Sequence, residues 1–316
     1  MTMKVLKDLD MYLISDYSFS QSDQIEFAKL SGDWNPIHVD PVFARRTIYG
    51  QVVHGIHIFL VALDAFLSVT DNPTPSEVHV SFLSPLNLDQ TLNVEVVHRG
   101  NDIILEVKSL GKVITFIRMS IGDDLKRVEI TSKKSVSIGD ISKIPKERKF
   151  DDLRNVDCDV DLSNDIDHVS DFFGSSARRI GIDQVAAILG LSKFVGMEYP
   201  GMHSFFSGFS LRFSEVKSHS LRFQTERFSI PNAPIKFSFN GSGIKGTLDA
   251  FLRPAPYKQL DVGVVSRSVS TDEFQGQNAL IIGGSRGLGE LTAKIIASGG
   301  GKVDITYALG GEDADE

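Results

Sequence analysis

The chain has 316 residues, 41% hydrophobic and 23% charged, with a formal net charge of −8; this is the composition of ordinary globular domains, and the length allows two or three of them. The acidity argues against a nucleic-acid or anionic-membrane surface, and no run reaches the about 18 apolar residues that span a bilayer. Cys158 is the single cysteine, so no internal disulfide can form; with an N-terminus that lacks a signal peptide's apolar core and cleavage site, a cytoplasmic setting is expected.

The first segment is residues 1–122. Ser22 is placed to cap a helix whose first turn carries Asp23 and Glu26, which suits the positive helix end. That helix leads into Asp33-Trp34-Asn35-Pro36-Ile37-His38. The residue before a proline is pushed out of the α region, so the helix should end at Asn35. Asp33 and His38 then share a bent loop, from which an acid and an imidazole can face one space. Asp40-Pro41 starts a short second helix that ends near Gly50. His54-Gly55-Ile56 opens a third, apolar nearly all round through Leu67, which implies burial on most sides. Strands are expected at 77–83, 91–98, 103–110 and 112–121, with turns at Ser84-Pro85, Gly100-Asn101 and Gly111.

Phe27, Ser31, Gly32, Asp33, Asn35, Pro36, Ile37, His38 and Ala44 together resemble the signature of the MaoC-like (R)-specific enoyl-CoA hydratases. The resemblance implies a hot-dog fold, a curved antiparallel sheet around one apolar helix, and reversible hydration of trans-2-enoyl thioesters. Asp33 and His38 would hold the water, and Asn35 would fix the loop or orient the pair. Gly55, the glycine of the His-Gly pair, would offer a backbone N–H to the thioester oxygen. The substrate partner implied is an acyl thioester of coenzyme A or an acyl carrier protein. Phe59, Leu63 and Phe82 read either as acyl-pocket walls or as plain core. His54 and His57 stand at a metal-ligand spacing, but no third ligand is evident, so neither a metal nor a cofactor is expected for this reaction.

Residues 123–164 carry mixed charge with little periodicity and read as a solvated connector with one short strand at 135–138. Residues 165–256 read as a worn copy of the first segment. A helix is expected at 182–194, Pro200-Gly201-Met202-His203 stands where His54-Gly55-Ile56-His57 would, and strands are expected at 207–215, 220–230, 234–240 and 246–252. The Asp/His pair is missing there; Arg178, Arg179 and Asp183 occupy the general region instead.

A serine-rich linker (257–275) precedes residues 276–316, where an apolar strand runs into Gly283-Gly284-Ser285-Arg286-Gly287-Leu288-Gly289, a helix at 291–298 and a second strand at 302–307. This context and spacing resemble the short-chain dehydrogenase/reductase family, with Ile282 where a threonine is usual. The resemblance implies NAD or NADP held at Gly283, Ser285, Arg286, Gly287, Leu288 and Gly289. The Tyr-xxx-Lys pair of that family is absent from these residues, so a fragment of a longer reductase is expected. The expected fold class is α+β: two hot-dog repeats plus a truncated α/β Rossmann-type βαβ unit. Besides the hydro-lyase, two alternatives stand: a ketoreductase with ancillary hot-dog domains, and a non-catalytic acyl-thioester binding module. The two repeats satisfy each other's edges, so the expected assembly is a monomer or a homodimer of the double unit.

Overall fold

The computed structural model describes residues 11–70, 74–99, 102–121, 143–162, 166–216, 218, 220–230, 233–255, 258–308 and 310–315. The chain divides into two units, Met1–Pro254 and Ala255–Glu316.

In the first unit, β1 (Met11–Tyr17) is followed by α1 (Gln21–Ser31), the short α2 (Pro36–Val39) and α3 (Pro41–Arg45), and α4 (Gly55–Val69). The meander β2 (Pro75–Phe82), β3 (Leu92–Arg99), β4 (Asp102–Ser109) and β5 (Lys112–Ile121) comes next. The second half opens with β6 (Asp157–Asp161), then α5 (Ile166–Phe172), α6 (Gly174–Ile180) and α7 (Ile182–Lys193), which runs on as one π-helical turn, Phe194–Glu198. It ends with β7 (Ser204–Phe213), β8 (Ser220–Arg227), β9 (Ile235–Gly241) and β10 (Ile244–Leu252).

All ten strands form one antiparallel sheet in the order β1-β3-β4-β5-β2-β7-β10-β9-β8-β6. The order is a mirror about the β2–β7 seam: β7, β10, β9, β8 and β6 repeat the roles of β2, β5, β4, β3 and β1. This is a hot-dog-like α+β fold made twice, with the two copies joined edge to edge. Along β9 the apolar Ile235, Phe237 and Phe239 are buried in alternation with Lys236 and Ser238, as the two-residue period of a strand over a core requires. α4 and α7 supply the other wall of a single core that runs through both halves. Phe59 of α4 meets Phe209 of β7 edge to face at 5.2 Å, so the core is shared across the seam.

Several boundaries differ from those read in the sequence. Ser20, not Ser22, caps α1: its hydroxyl accepts the Asp23 N–H at 3.3 Å while the Asp23 carboxylate accepts the Ser20 N–H at 2.7 Å. The helix stops at Ser31, with Gly32 in the left-handed region (φ 76°), so Asn35 does not end it but caps α2. The expected connector is not all connector, because β6 lies within it and pairs with β8 as the outermost strand; the strand expected at 135–138 lies outside the described residues. Pro200-Gly201-Met202-His203 follows the second central helix instead of opening it, so it does not correspond to His54-Gly55. Arg178 and Arg179 close α6 and Asp183 opens α7. The Cys158 thiol lies on β6, where burial pushes its pKa up to about 11, which leaves it protonated and unreactive. Among the described residues no single helix is long and apolar enough to cross a membrane.

The second unit contains α8 (Val262–Val265), β11 (Asn278–Ile282), α9 (Gly287–Ser298), β12 (Lys302–Thr306) and α10 (Gly311–Asp315). β11 and β12 are parallel and α9 connects them, a βαβ unit. α9 begins at Gly287, a turn earlier than expected.

Truncating the shared core should show the coupling of the two halves. Phe59→Ala and Phe209→Ala should each cost about 3–5 kcal/mol in urea unfolding. The double variant should fall short of their sum by about 0.5–1.5 kcal/mol, the ring–ring interaction lost in common.

Candidate active site

The loop between α1 and α2 is built by local capping. The Ser31 hydroxyl accepts the Asp33 N–H at 3.1 Å, Asp33 Oδ1 accepts the Asn35 N–H at 3.2 Å, and Asn35 Oδ1 accepts the Ile37 N–H at 3.2 Å. These Asx-type bonds satisfy backbone donors that neither helix can use. They also turn Asp33 inward, where it is 2% exposed.

The second half then fixes the loop. The Ser192 hydroxyl, on the last turn of α7, donates to Asp33 Oδ2 at 2.7 Å. Gly196, in the π-helical turn, lies so close that a Cβ there would sit 2.1 Å from Asp33 Oδ1; only glycine leaves the carboxylate its place. The Asn35 amide donates to the carbonyls of Gly196 and Gly201 at 2.9 and 3.1 Å. Asn35 is 1% exposed and does not line the cavity: its side chain ties the two halves together.

His38 sits on α2, and its Nδ1–H donates to the Val52 carbonyl at 2.8 Å, which leaves Nε2 as the acceptor. Its ring stacks on that of His54, with centroids 3.9 Å apart. Asp33 and His38 open on one cavity of about 80 Å³. Their ligand atoms and one of His54 all lie within 4.8 Å of one another, a gap that one water spans with two hydrogen bonds. A cation could bridge such a spacing, but both His54 ring nitrogens already face oxygens, those of Gln24 and of the Asp33 main chain. Burial pushes the Asp33 carboxyl up to about 6, against the opposing bonds from Ser192 and Asn35. Burial likewise pushes His38 down to about 4, helped by the nearby Arg253 guanidinium and opposed by the bond to Val52. At neutral pH the pair is therefore a carboxylate and a neutral imidazole, two proton acceptors.

Gly55 lies on the same cavity at the start of α4. The first helical bonds run from His57 and Ile58 to the His54 carbonyl, so the Gly55 N–H precedes the ladder. Gly55 keeps exposed surface between two fully buried neighbours, His54 and Ile56. A side chain there would meet the Phe82 ring at 3.1 Å.

Of the residues proposed from sequence, Asp33, His38 and Gly55 share the cavity, and so does Phe82; Phe59 and Leu63 are core. Sequence reading missed Ser192, Val195, Gly196, Tyr49, Phe205 and Phe206 on its walls. Arg178, Arg179 and Asp183 are not among the lining residues. In the second unit, the chain passes from β11 through Gly283 (φ 75°) and Gly287 (φ 62°) into α9. Ser285 is buried in that turn.

The site therefore combines a buried aspartate, a half-buried histidine and a glycine-opened central helix in a hot-dog-like fold. Residues 8–115, which carry Asp33, His38 and Gly55, match the family model described as "MaoC like domain". A 3-hydroxybutyryl-CoA dehydratase of Methylorubrum extorquens is 36% identical over 105 residues, spanning 32% of this chain and 60% of that protein. The peroxisomal multifunctional enzyme type 2 of Mus musculus is 33% identical over 90 residues, 27% of this chain and 12% of that one. A solved structure named "MaoC-like dehydratase" shares the fold, with a TM-score of 0.51 at 15% identity, over 77% of this chain and 97% of its own. The chain thus spans 60% or less of the length of these curated relatives.

Because Ser192 donates to the ionised form of Asp33, its removal should favour the protonated form. Ser192→Ala should raise the Asp33 titration midpoint above about 6. A charge-assisted hydrogen bond of about 1.5–3 kcal/mol corresponds to roughly one to two pH units. A carboxyl-carbon NMR titration of labelled protein, with Asp33→Asn identifying the signal, measures the change.

Proposed function

We propose that the first unit is a hydro-lyase that interconverts trans-2-enoyl and (R)-3-hydroxyacyl thioesters. The observation that carries this reading is the opening of the Asp33 carboxylate, the His38 imidazole and the start of α4 at Gly55 onto one mostly apolar cavity. The named activity of the Methylorubrum relative supports it.

In the hydration direction, a water between the two acceptors directs one O–H at His38 Nε2 and the other at Asp33. Its oxygen bonds to C3 as a proton passes to the dyad, and the C2=C3 electron pair moves toward the thioester. The charge that develops on the thioester oxygen meets the Gly55 N–H at the positive end of α4. The dyad then returns a proton to C2. Dehydration runs the same steps backwards. His38 serves as base because Val52 holds its proton on Nδ1. The acyl chain lies against Phe82, Val195 and Phe206. The thioester is carried by coenzyme A or by an acyl carrier protein.

For the second unit we propose a dinucleotide site, the start of a ketoreductase that would supply the 3-hydroxyacyl thioester. Gly283 and Gly287 have positive φ, and a Cβ at either would meet nothing within 4 Å, so the turn presents an open main-chain face to a pyrophosphate. Ser285, Arg286, Leu288 and Gly289 complete that turn. The group, NAD or NADP, would supply hydride chemistry. Saturable binding of either by the full chain, abolished in Gly287→Val, tests the site without reference to turnover.

Hydration of a short trans-2-enoyl-CoA, followed by loss of the conjugated thioester absorbance, tests the lyase. Asp33→Asn and His38→Ala should each lower kcat by about 10²–10⁴-fold while the protein stays folded. Equal turnover in the variants and the wild type would overturn the assignment. Activity requires Asp33 ionised, so kcat/KM should hold at neutral pH and fall as pH drops through about 6.

A further inference from the structure

His54 takes no direct part in the chemistry above, yet it is completely buried and packed against the dyad. Its surroundings fix its protons. The main-chain N–H of His54 donates to Gln24 Oε1 at 3.0 Å, so that end of the amide is the oxygen; turned over, the amide would present N–H against N–H. His54 Nδ1 lies 2.8 Å from the same oxygen, which can only accept, and so Nδ1 carries a proton. On the other side of the ring, Nε2 lies 3.0 Å from the main-chain carbonyl oxygen of Asp33, again an acceptor only. A neutral imidazole has one N–H and would leave one of these contacts as lone pair against lone pair. The imidazolium satisfies both.

Burial, joined by the His38 and His57 rings and opposed by the bond to the Asp33 carbonyl, pushes the His54 pKa well below its ordinary value, and a lone buried cation would not survive that. Here an anion is built beside it. Asp33 Oδ2 lies 3.9 Å from His54 Nε2. That carboxylate already takes donors from Ser192 and Asn35, as its ionised form requires. The other groups facing His54 add no charge. From the catalytic loop, His38 donates through Nδ1 to Val52. On α4 itself, His57 accepts from the Gln24 amide nitrogen at 3.3 Å, a contact that needs an unprotonated Nδ1. From α1, Gln24 and Phe27 are uncharged, and the Phe27 ring packs tilted against that of His54, with centroids 4.7 Å apart.

We propose that His54 is a buried imidazolium, paired with Asp33, and that it is the positioning residue that sets the protonation of the dyad. Its charge holds the Asp33 carboxylate ionised and, through the stacked ring, keeps His38 neutral. Both effects favour the water-activating form. The charge state stands on geometry alone; its consequence for rate rests on the hydro-lyase reading.

Nitrogen–proton NMR of the full chain labelled in histidine reads the charge directly, with His54→Gln assigning the signals. At neutral pH both ring nitrogens of His54 should carry a proton; a bare ring nitrogen at either position overturns the proposal. Gln24→Met, which removes the Nδ1 acceptor without touching the dyad, should convert His54 to the neutral form with a single ring proton on Nε2. Two ring protons persisting in Gln24→Met would overturn the hydrogen-bond argument. In the hydration assay, both His54→Gln and Gln24→Met should move the acid limb of kcat/KM up by about one pH unit or more. Two ring protons in the wild type with an unmoved acid limb would leave the charge and remove the positioning role. Absence of turnover in folded wild-type protein would count against the hydro-lyase reading and leave the NMR result standing.

Discussion

The anchoring of Asp33 by the second half of the chain is the contact on which the site depends. An isolated loop could place an aspartate near a histidine, but it could not hold a carboxylate ionised at 2% exposure. Taking that charge out of water is costly, and a buried carboxylate persists only with donors on its oxygens. Ser192 and the Asn35 N–H are those donors, and Gly196 shapes the space between them. Asn35 completes the arrangement from the other side by holding the Gly196 and Gly201 carbonyls.

This explains what the second copy retains. Its sheet order mirrors that of the first, yet the loop before its central helix carries no Asp/His pair. The seam between β2 and β7 covers an edge that each copy would otherwise expose, which leaves β1 and β6 as the outer strands. β6 is well suited to an edge: Asp157, Asp159 and Asp161 alternate with Cys158 and Val160, and Arg222 pairs with Asp157 at 2.9 Å. The second copy shares the packing without the Asp/His pair, and it turns the end of its helix toward the other copy's aspartate. The π-helical turn after Lys193 helps here, since Ser192 and Gly196 reach Asp33 from successive turns of one continuous helical segment.

The division between what was and was not legible in the sequence follows sequence separation. Asp33, Asn35 and His38 lie within six residues around a proline, and local rules of turns and caps suffice to bring them onto one loop. α4 announces itself by being apolar all round. Ser192 is 159 residues from the aspartate it holds, and nothing in Leu191-Ser192-Lys193 distinguishes it from a surface serine. Ser20 and Asp23 have the spacing of a capping box, which outranks Ser22. The alternation in Asp157–Asp161 is that of a strand, masked in the sequence by the charge of the surrounding segment. The likeness of Gly201-Met202-His203 to Gly55-Ile56-His57 was a likeness of letters, because the first follows a helix and the second begins one.

Three histidines and an aspartate in one buried cluster would be untenable if each titrated alone. The hydrogen bonds distribute the protons so that they do not. Val52 assigns one proton to His38 Nδ1, and the Gln24 amide assigns none to His57 Nδ1. The oxygens of Gln24 and Asp33 assign two to His54. The cluster then holds one cation and one anion, next to each other, and its net charge is zero. Under the proposed hydro-lyase reading, a thioester entering the cavity would meet a neutral site with a directed base, not a field of competing charges. The positive end of α4 lies at the same cavity, where Gly55 lines the wall and its N–H precedes the helical ladder. The same Gln24 that contacts His54 Nδ1 also binds the His54 main chain, the residue before Gly55, so one buried amide fixes both the ring and the backbone of that residue.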